Sequence, residues 1–351
     1  MSPTGGWTPA FATAEDEMAQ ERAIPSIGPA APEFALPHRP GVIHNVLKFI
    51  RRKPLGAVGF FFVFFVIAMT LGTPKAEFGV PELPHSPLGF KLGKPWLAPY
   101  GEEQNFKNLT GRLNQDAAPS SKHWLGTDSH GRDNFARVVW GARRSLFIGL
   151  WALALATAVG TFIGVISGYF RGWFDTGVQR ILDAIQSFPP LLTLILILSI
   201  APFTSQPSLV VAAFALGFVG IPQVQRIVRG VVLSTREQQY VEAARVIGAT
   251  DARTMAFYIL PNIMASIIVV FSTGLGVVIL AEAALAFIVP QVVPAEGASW
   301  GLDLGEAYRG GVAEHTWEVT SYAGVIALAV LGLNLAGDAL RDVLDPRLRL
   351  G

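Results

Sequence analysis

The stretch that decides the fold runs from Tyr240 to Asn262 and reads YVEAARVIGATDARTMAFYILPN. It is charged and amphipathic, and it lies between two long apolar runs. Tyr240 to Ile247 is predicted to form a short helix. Gly248 suits the left-handed conformation that commonly ends helices, because it has no Cβ. Thr250 or Asp251 can cap the next helix by accepting a backbone N–H bond. The stretch therefore predicts a rigid helix–glycine–helix elbow.

Composition places the chain among polytopic membrane proteins. Of 351 residues, 51% are hydrophobic and 15% are charged, and the mean hydropathy is +0.43. The net charge of +1 gives no sign of a nucleic-acid partner. Cysteine is absent, which excludes structural disulfides, thiolate zinc sites and thiol catalysis.

Six apolar segments are long enough to cross a bilayer, which takes about 20 residues. They are residues 54–74, 145–170, two spans within 184–225 that divide at 204–207, 263–288 and 319–337. Pro189 and Pro190 are expected to break or kink the third span. The predicted fold class is an all-α polytopic membrane protein with six transmembrane helices.

The distribution of lysine and arginine predicts the orientation. Basic residues without acids precede the first span, and arginines flank the fourth and fifth spans and follow the sixth. The segment after the fifth span is acidic. Both termini and the Tyr240 to Asn262 stretch are therefore expected in the cytoplasm, with a multi-pass chain in the bacterial cytoplasmic (inner) membrane.

Two patterns near the second span predict how it packs. Before it, apolar residues at helical spacing predict a helix that lies at the membrane interface: Phe135, Val138, Val139 and Ala142. Within it, Gly160, Gly164 and Gly168 share one helix face and predict close packing against another helix. The alternative is that this glycine face slides during a gating step.

Charges inside or beside the spans are candidates for function. Glu282 is predicted near the outer end of the fifth span, either as a solvated residue or as an acid that lines a pathway. Asp183 is predicted at the inner start of the third span. An ion pair with Arg180, three residues earlier, is favoured there over a site for a transported ion.

No pattern in the sequence predicts catalysis or a metal site. All six histidines lie outside the spans, and no zinc motif of the HExxH kind is present. The chain also has no phosphate-binding P-loop and no GxSxG motif. We therefore expect a non-enzyme that has no catalytic residues and binds no metal or cofactor of its own.

Residues in the deciding stretch resemble the EAA loop of ABC-importer permeases, the short helix that docks on the ATP-hydrolysing subunit. The matching residues are Glu242, Ala243, Ala244, Gly248, Leu260 and Pro261. Tyr258 departs from the isoleucine that is usual in the family. The resemblance implies that these six residues couple the permease to ATP hydrolysis, and that the fold is the type I (MetI-like) permease fold.

Four further stretches resemble the dipeptide, oligopeptide and nickel branch of these importers, and its C-type permease in particular. They are HWLGTDSHGRDNFARVVWGARRSL from 123, GYFRGWFDTGVQRILDAIQSFPP from 168, ASWGLDLGEA from 298 and NLAGDALRDVLDPRLR from 334. The stretch from Phe287 to Gln291 departs from the Leu-Gly-rich ending that the family usually has at this point.

The resemblance implies a set of partners. They are a second, B-type permease, two ABC ATPases that bind ATP and Mg²⁺, an extracytoplasmic substrate-binding protein and the lipid bilayer. Short peptides are the expected cargo, and nickel or another small solute is the alternative. A secondary transporter, a channel or a membrane scaffold would belong to other classes. The first two usually carry paired charges at mid-membrane, which the predicted spans lack.

The expected organisation has five parts. Residues 1–45 form a disordered tail, and 46–100 an N-terminal anchor with the start of an external segment. Residues 101–144 complete that segment with the interfacial helix. Residues 145–340 are the permease core, with the coupling loop at 223–262, and 341–351 are a C-terminal tail.

Overall fold

The structure is a computed structural model that describes residues 53–71, 100, 104–107, 113–200, 209–292 and 297–344. Within these residues we number nine helices in chain order. They are α1 (Pro54–Leu71), α2 (Asn134–Phe170), α3 (Gly172–Gln186), α4 (Pro190–Ile200), α5 (Leu209–Thr235), α6 (Gln239–Val246), α7 (Leu260–Ile288), α8 (Trp300–Gly310) and α9 (Thr316–Leu344). The predicted tail 1–45 and the predicted division at 204–207 lie outside the described residues.

The described helices are approximately consistent with the six predicted spans. Four stretches are long and apolar enough to cross a membrane, namely Asn134–Phe170, Leu209–Thr235, Asp251–Ile288 and Thr316–Val343. The bent pair α3 and α4 counts as a fifth span if taken together. Helix α1 is a shorter apolar helix; its 18 residues extend roughly 27 Å, close to the thickness of a bilayer core.

Helices α3 and α4 meet at an angle of 85°. The break falls between Gln186 and Pro190, at the two prolines that the sequence identified. Proline removes a helical hydrogen bond and clashes with the preceding turn, so the chain bends there. The residues from Ala184 to Gln186, which the sequence placed in the third span, therefore belong to α3 and lie before the bend.

The bundle has two ends, which we name after Gly248 and Trp300. Helix α9 runs antiparallel to α7, because Gly337 lies against Thr273 while Gly276 lies against Asn334. The C-terminal part of α9 therefore points towards the start of α7, at the Gly248 end. There Lys53 Nζ, at the start of α1, lies 2.5 Å from the Asp342 carboxylate.

The predicted interfacial helix is the first part of a longer helix. Asn134–Phe170 is one continuous helix of 37 residues, capped by the Asp133 side chain, which accepts a bond from the Ala136 N–H. Val139 and Ala142 are fully buried, and Val138 is nearly so. Helix α8 packs against these first turns through Trp300.

Helix α8 is absent from the sequence prediction, which treated the segment after the fifth span as a loop. Its side chain Trp300 is fully buried and donates from Nε1 to the carbonyl of Val138 at 2.8 Å. Gly301 lies so close to α7 that a Cβ there would meet the carbonyl oxygen of Ala283 at 2.4 Å. The Trp300 end is therefore closed by a short helix packed on both α2 and α7.

Candidate coupling site

Gly248 ends helix α6 in the left-handed conformation, with a φ angle of +85°. Helix α6 begins and ends one residue earlier than predicted. The N–H of Ala249 donates to the carbonyl of Ala244 at 3.0 Å, and the N–H of Gly248 donates to that of Arg245 at 2.9 Å. This pair of bonds is a Schellman motif, which closes the last turn and redirects the chain. The predicted elbow is present.

Thr250 begins the helical segment that follows the elbow. Its Oγ1 accepts a hydrogen bond from the Arg253 N–H at 3.4 Å, so Thr250, of the two predicted candidates, is the cap. Asp251 has a different partner, because its Oδ1 accepts a hydrogen bond from the Tyr169 hydroxyl at 2.6 Å.

A π-helix separates this cap from helix α7. It covers Thr254–Ile259, and the N–H of Leu260 bonds to the carbonyl of Met255. Pro261 follows directly and has no N–H to donate, so the regular α-helical ladder is interrupted at this point. The predicted Leu260-Pro261 pair therefore marks the start of α7, while the π-helix itself was not predicted. Such π-helical turns occur frequently at functional sites.

Tyr169, near the end of α2, ties the elbow to the bundle. Besides its bond to Asp251, the Tyr169 ring has the Arg245 guanidinium 5.0 Å from its centroid. The Arg236 guanidinium lies 6.0 Å from the same centroid and also donates to the Tyr169 carbonyl. Sequence reasoning missed this residue. The sequence did contain a signal for it. Tyr169 ends an apolar span, and a later loop rich in arginine offers cations that can contact its ring.

One face of α6 belongs to the core. Val241 is fully buried and Ala244 is 2% exposed. Val241 lies in a cluster with Ile259 and Ile263. Ile247, three residues after Ala244, is 77% exposed and does not join this face. The helix ends at Val246, so the chain turns before Ile247 reaches the core.

Three large apolar side chains at the end of α6 and on the π-helix are exposed to solvent. Val246 is 82% exposed, Ile247 is 77% exposed and Phe257, on the π-helix, is 72% exposed. We call these three residues the apolar rim. Glu242 and Ala243 are exposed as well. Exposed apolar groups rimmed by polar residues mark surfaces that another molecule covers.

The three predicted packing glycines all face helix α5. A Cβ at Gly160 would lie 2.8 Å from Val224, and one at Gly168 would lie 3.0 Å from Val232. Between them, a Cβ at Gly164 would lie 3.0 Å from the Gln225 carbonyl oxygen. Small residues let two helix backbones approach closely in lipid, where the hydrophobic effect does not drive helices together. Helix α5 leads directly into α6, so this contact also positions the elbow.

Glu282 is buried inside the subunit, 1% exposed. The Ser145 hydroxyl donates to its Oε2 at 3.0 Å, and the Ser299 hydroxyl donates to its Oε1 at 3.5 Å. The expectation of a solvated residue is wrong, because these two serines replace water around the side chain. Enclosed in this way, Glu282 also has no open surface on which to line a pathway.

Asp183 pairs with Arg226 of helix α5, at 2.6 Å, rather than with the predicted Arg180. An aspartate that follows its arginine by three residues is in the less favourable order for a helical pair. Arg226 instead reaches Asp183 from the neighbouring helix. Both side chains are about half exposed, so the pair contributes little to stability.

The Trp300 end holds a buried ion pair between Arg137 of α2 and Asp303 of α8, with Nη2 and Oδ1 2.5 Å apart. The Asp303 side chain is 3% exposed and that of Arg137 is 4% exposed. Burial raises the pKa of the Asp303 carboxyl, and the Arg137 guanidinium opposes that rise. The pair joins α8 to α2 and was not predicted.

Comparison with known proteins matches residues 160–350 to the family described as binding-protein-dependent transport system inner membrane component. The dipeptide transport system permease protein DppC of Alkalihalophilus pseudofirmus is 40% identical over 240 residues, which are 68% of this chain and 77% of that protein. The glutathione transport system permease protein GsiD of Pectobacterium atrosepticum is 40% identical over 255 residues, 72% and 81% of the two chains. The oligopeptide transport system permease protein OppC of Bacillus subtilis is 38% identical over 242 residues, 69% and 77%.

Proposed function

Because the chain belongs to the family of binding-protein-dependent transport system inner membrane components, we propose that it forms half of the pathway for short peptides in an ABC importer. Membership confirms the family that the motifs predicted. The chain is a non-catalytic, multi-pass component of the inner membrane, and partner subunits hydrolyse the ATP.

The choice of peptides rests on the relatives. Three similar permeases are named for dipeptide, oligopeptide and glutathione transport, and glutathione is itself a tripeptide. Reconstituted importer should therefore take up di- or oligopeptides when its binding protein is supplied. Uptake of Ni²⁺ without any peptide would overturn the proposal for the substrate and leave the importer class intact.

The Gly248 end is proposed to face the cytoplasm, with both termini on that side. Arginines concentrate there: Arg171, Arg226, Arg229, Arg236, Arg245 and Arg253. Positive residues beside spans favour the cytoplasmic face. Because the chain lacks cysteine, a single cysteine introduced at Gly310 or Thr235 can be labelled without background. An impermeant reagent should reach residue 310 from outside, and residue 235 only after permeabilisation.

The observation that carries the coupling role is the combination of a rigid elbow and an exposed apolar rim. The Schellman motif, the Thr250 cap and the Tyr169 contacts fix α6 relative to α2 and α7. A push on the rim is then transmitted to the spans and is not absorbed by a loose loop. We propose that an ABC ATPase exerts this push. The importer would contain two such ATPases, one for this chain and one for a B-type permease partner. A binding protein would deliver the substrate.

The test compares substitutions of Gly248 and Glu242. Gly248→Val forces a β-branched residue into a left-handed conformation, which costs about 1–2 kcal/mol, although the space around the residue is open. Gly248→Asn is the matched control, since asparagine tolerates this conformation. Glu242→Lys reverses an exposed charge on α6.

Uptake and ATPase recruitment are measured in membranes that contain equal amounts of each variant. Gly248→Val and Glu242→Lys should lose uptake that is coupled to ATP hydrolysis, whereas Gly248→Asn should retain it. Wild-type uptake and recruitment in both the valine and the lysine variants would show that this elbow is not the coupling element.

A further inference from the structure

At the Trp300 end, three side chains from distant parts of the sequence converge on one point. The Asp116 Oδ1 lies 2.6 Å from the His315 Nδ1, although the two residues are 199 positions apart. The Glu318 Oε2 lies 3.3 Å from the same nitrogen. The three ligand atoms all lie within 4.8 Å of one another.

A proton on His315 cannot satisfy both carboxylates. Nδ1 carries at most one hydrogen, and the Asp116 contact is the shorter of its two contacts. The Glu318 Oε2 is buried, faces the same nitrogen and accepts no hydrogen bond from the described residues. Glu318 as a whole is 3% exposed. A buried carboxylate oxygen without a donor is costly, because its desolvation is uncompensated.

The neighbouring acids already have cationic partners. Asp128 and Glu306 pair with Arg132, at 2.5 and 3.2 Å, and Asp303 pairs with Arg137. Among the ion pairs of the described residues, Glu318 has one partner, the imidazole of His315. A histidine nitrogen and two carboxylate oxygens therefore meet at one point without an arginine or lysine partner among the ion pairs of the described residues.

We propose that Asp116, His315 and Glu318 bind a divalent transition-metal ion, for which Zn²⁺ fits the donor set. Zinc takes imidazole nitrogen and carboxylate oxygen at about 2.0–2.2 Å, so two ligands of a tetrahedral ion are roughly 3.4 Å apart. The separation of His315 Nδ1 and Glu318 Oε2 already matches. The Asp116 contact has to open by under an ångström as the ion takes the place of the proton.

The ion would join two separate elements. Asp116 lies in the segment before α2, where its N–H donates to the Asp128 carbonyl. Glu318 lies in the first turn of α9, and His315 lies just before that helix. Binding would therefore fasten the 113–133 segment to α9. The sequence predicted no metal site, since Asp116 lies 199 residues from His315 and only folding brings them together.

The experiment measures Zn²⁺ bound by the full chain, purified in detergent and washed with a chelator. Binding is followed by competition with a chromogenic chelator and by elemental analysis, and Co²⁺ absorption reports the ligand set. Wild type should hold about one equivalent. His315→Ala and Glu318→Gln should each weaken binding at least tenfold. His130→Ala is the matched control and should bind like wild type, because His130 is exposed at the same end and pairs with Glu306 outside the triad.

Two results would overturn the proposal. One is wild-type chain that retains no Zn²⁺, and the other is undiminished binding by His315→Ala and Glu318→Gln. If His315→Ala fails to fold by circular dichroism and gel filtration, Glu318→Gln decides, since it removes the charge without changing the volume. The readout is metal content and requires no transport, so the outcome is independent of the proposed peptide importer.

Discussion

At the Gly248 end the apolar rim is mostly exposed, whereas at the Trp300 end a tryptophan and an ion pair are almost completely enclosed. Both ends join helices through a short helix, α6 in one case and α8 in the other. Helix α8 turns its tryptophan into the bundle, while α6 leaves Val246 and Ile247 facing away from it. The chain's own helices enclose this tryptophan and ion pair, whereas the described residues leave the apolar rim uncovered, which fits the proposal that another molecule docks there.

The largest effect is expected from Gly301→Val at the Trp300 end. The added Cβ would lie 2.4 Å from the Ala283 carbonyl oxygen, and the three nearest atoms are all backbone, which cannot rotate away. We expect the variant to lose α8 docking and to accumulate poorly. Thermal unfolding in detergent and membrane abundance measure this. Gly177→Val is the control, since nothing lies within 4 Å of a Cβ at that position.

Arg137→Ala should be the next most damaging change. It leaves the Asp303 carboxylate buried without its cation, which costs about 3–5 kcal/mol in free energy of unfolding. Replacing both residues, with Arg137→Met and Asp303→Leu, should recover most of the loss because no unpaired charge remains. Denaturant titration of the single and double variants gives the coupling. A double variant as unstable as Arg137→Ala would contradict this account.

Ile247→Ser tests the apolar rim at the Gly248 end. The side chain is mostly exposed, so stability should change by less than about 0.5 kcal/mol. Affinity for the ATPase should nevertheless fall at least fivefold, or about 1 kcal/mol, if the rim is a docking surface. Ile247→Leu keeps the apolar contact and should bind normally. A large loss of stability with unchanged ATPase binding would reverse the assignment of the two ends.

The smallest effect is expected from Asp183→Asn. The carboxylate and its partner Arg226 are about half exposed, so removing the charge should change stability by under about 1 kcal/mol. Thermal unfolding in low and high salt measures it, since an exposed pair is screened by salt. A cost approaching that of Arg137→Ala would mean that this surface is enclosed in the assembled protein.

Features that depend on neighbouring residues were predictable from the sequence. The apolar segments, the bend at Pro189 and Pro190, the left-handed Gly248 and the Thr250 cap all follow from local chemistry. They were foreseen, except that Asp251 was an equal candidate for the cap and that the ends of α6 were misplaced by one residue.

Features that depend on distant partners were not predictable. The sequence paired Asp183 with its near neighbour and left Glu282 in solvent, because neither Arg226 nor the two serines are recognisable as partners before the chain is folded. Helix α8 was overlooked for the same reason. Its 11 residues are too few and too polar to resemble a span, and its packing on α2 and α7 is what stabilises it.

The π-helix at Thr254–Ile259 has a consequence for how the elbow is aimed. A π turn is an α turn with one residue too many, and each residue of an α-helix accounts for roughly 100° of rotation and 1.5 Å of rise. The wider π turn holds this surplus residue while sweeping nearly the same angle as the α turn that would replace it, so the chain before and after it keeps its relative direction. Deleting one residue from the π turn should therefore leave the elbow facing as it does now, whereas deleting one from the regular α-helix that follows would rotate the elbow by roughly 100° about the axis of α7. The π turn thus gives the chain one position beside the elbow where its length can change without turning the elbow.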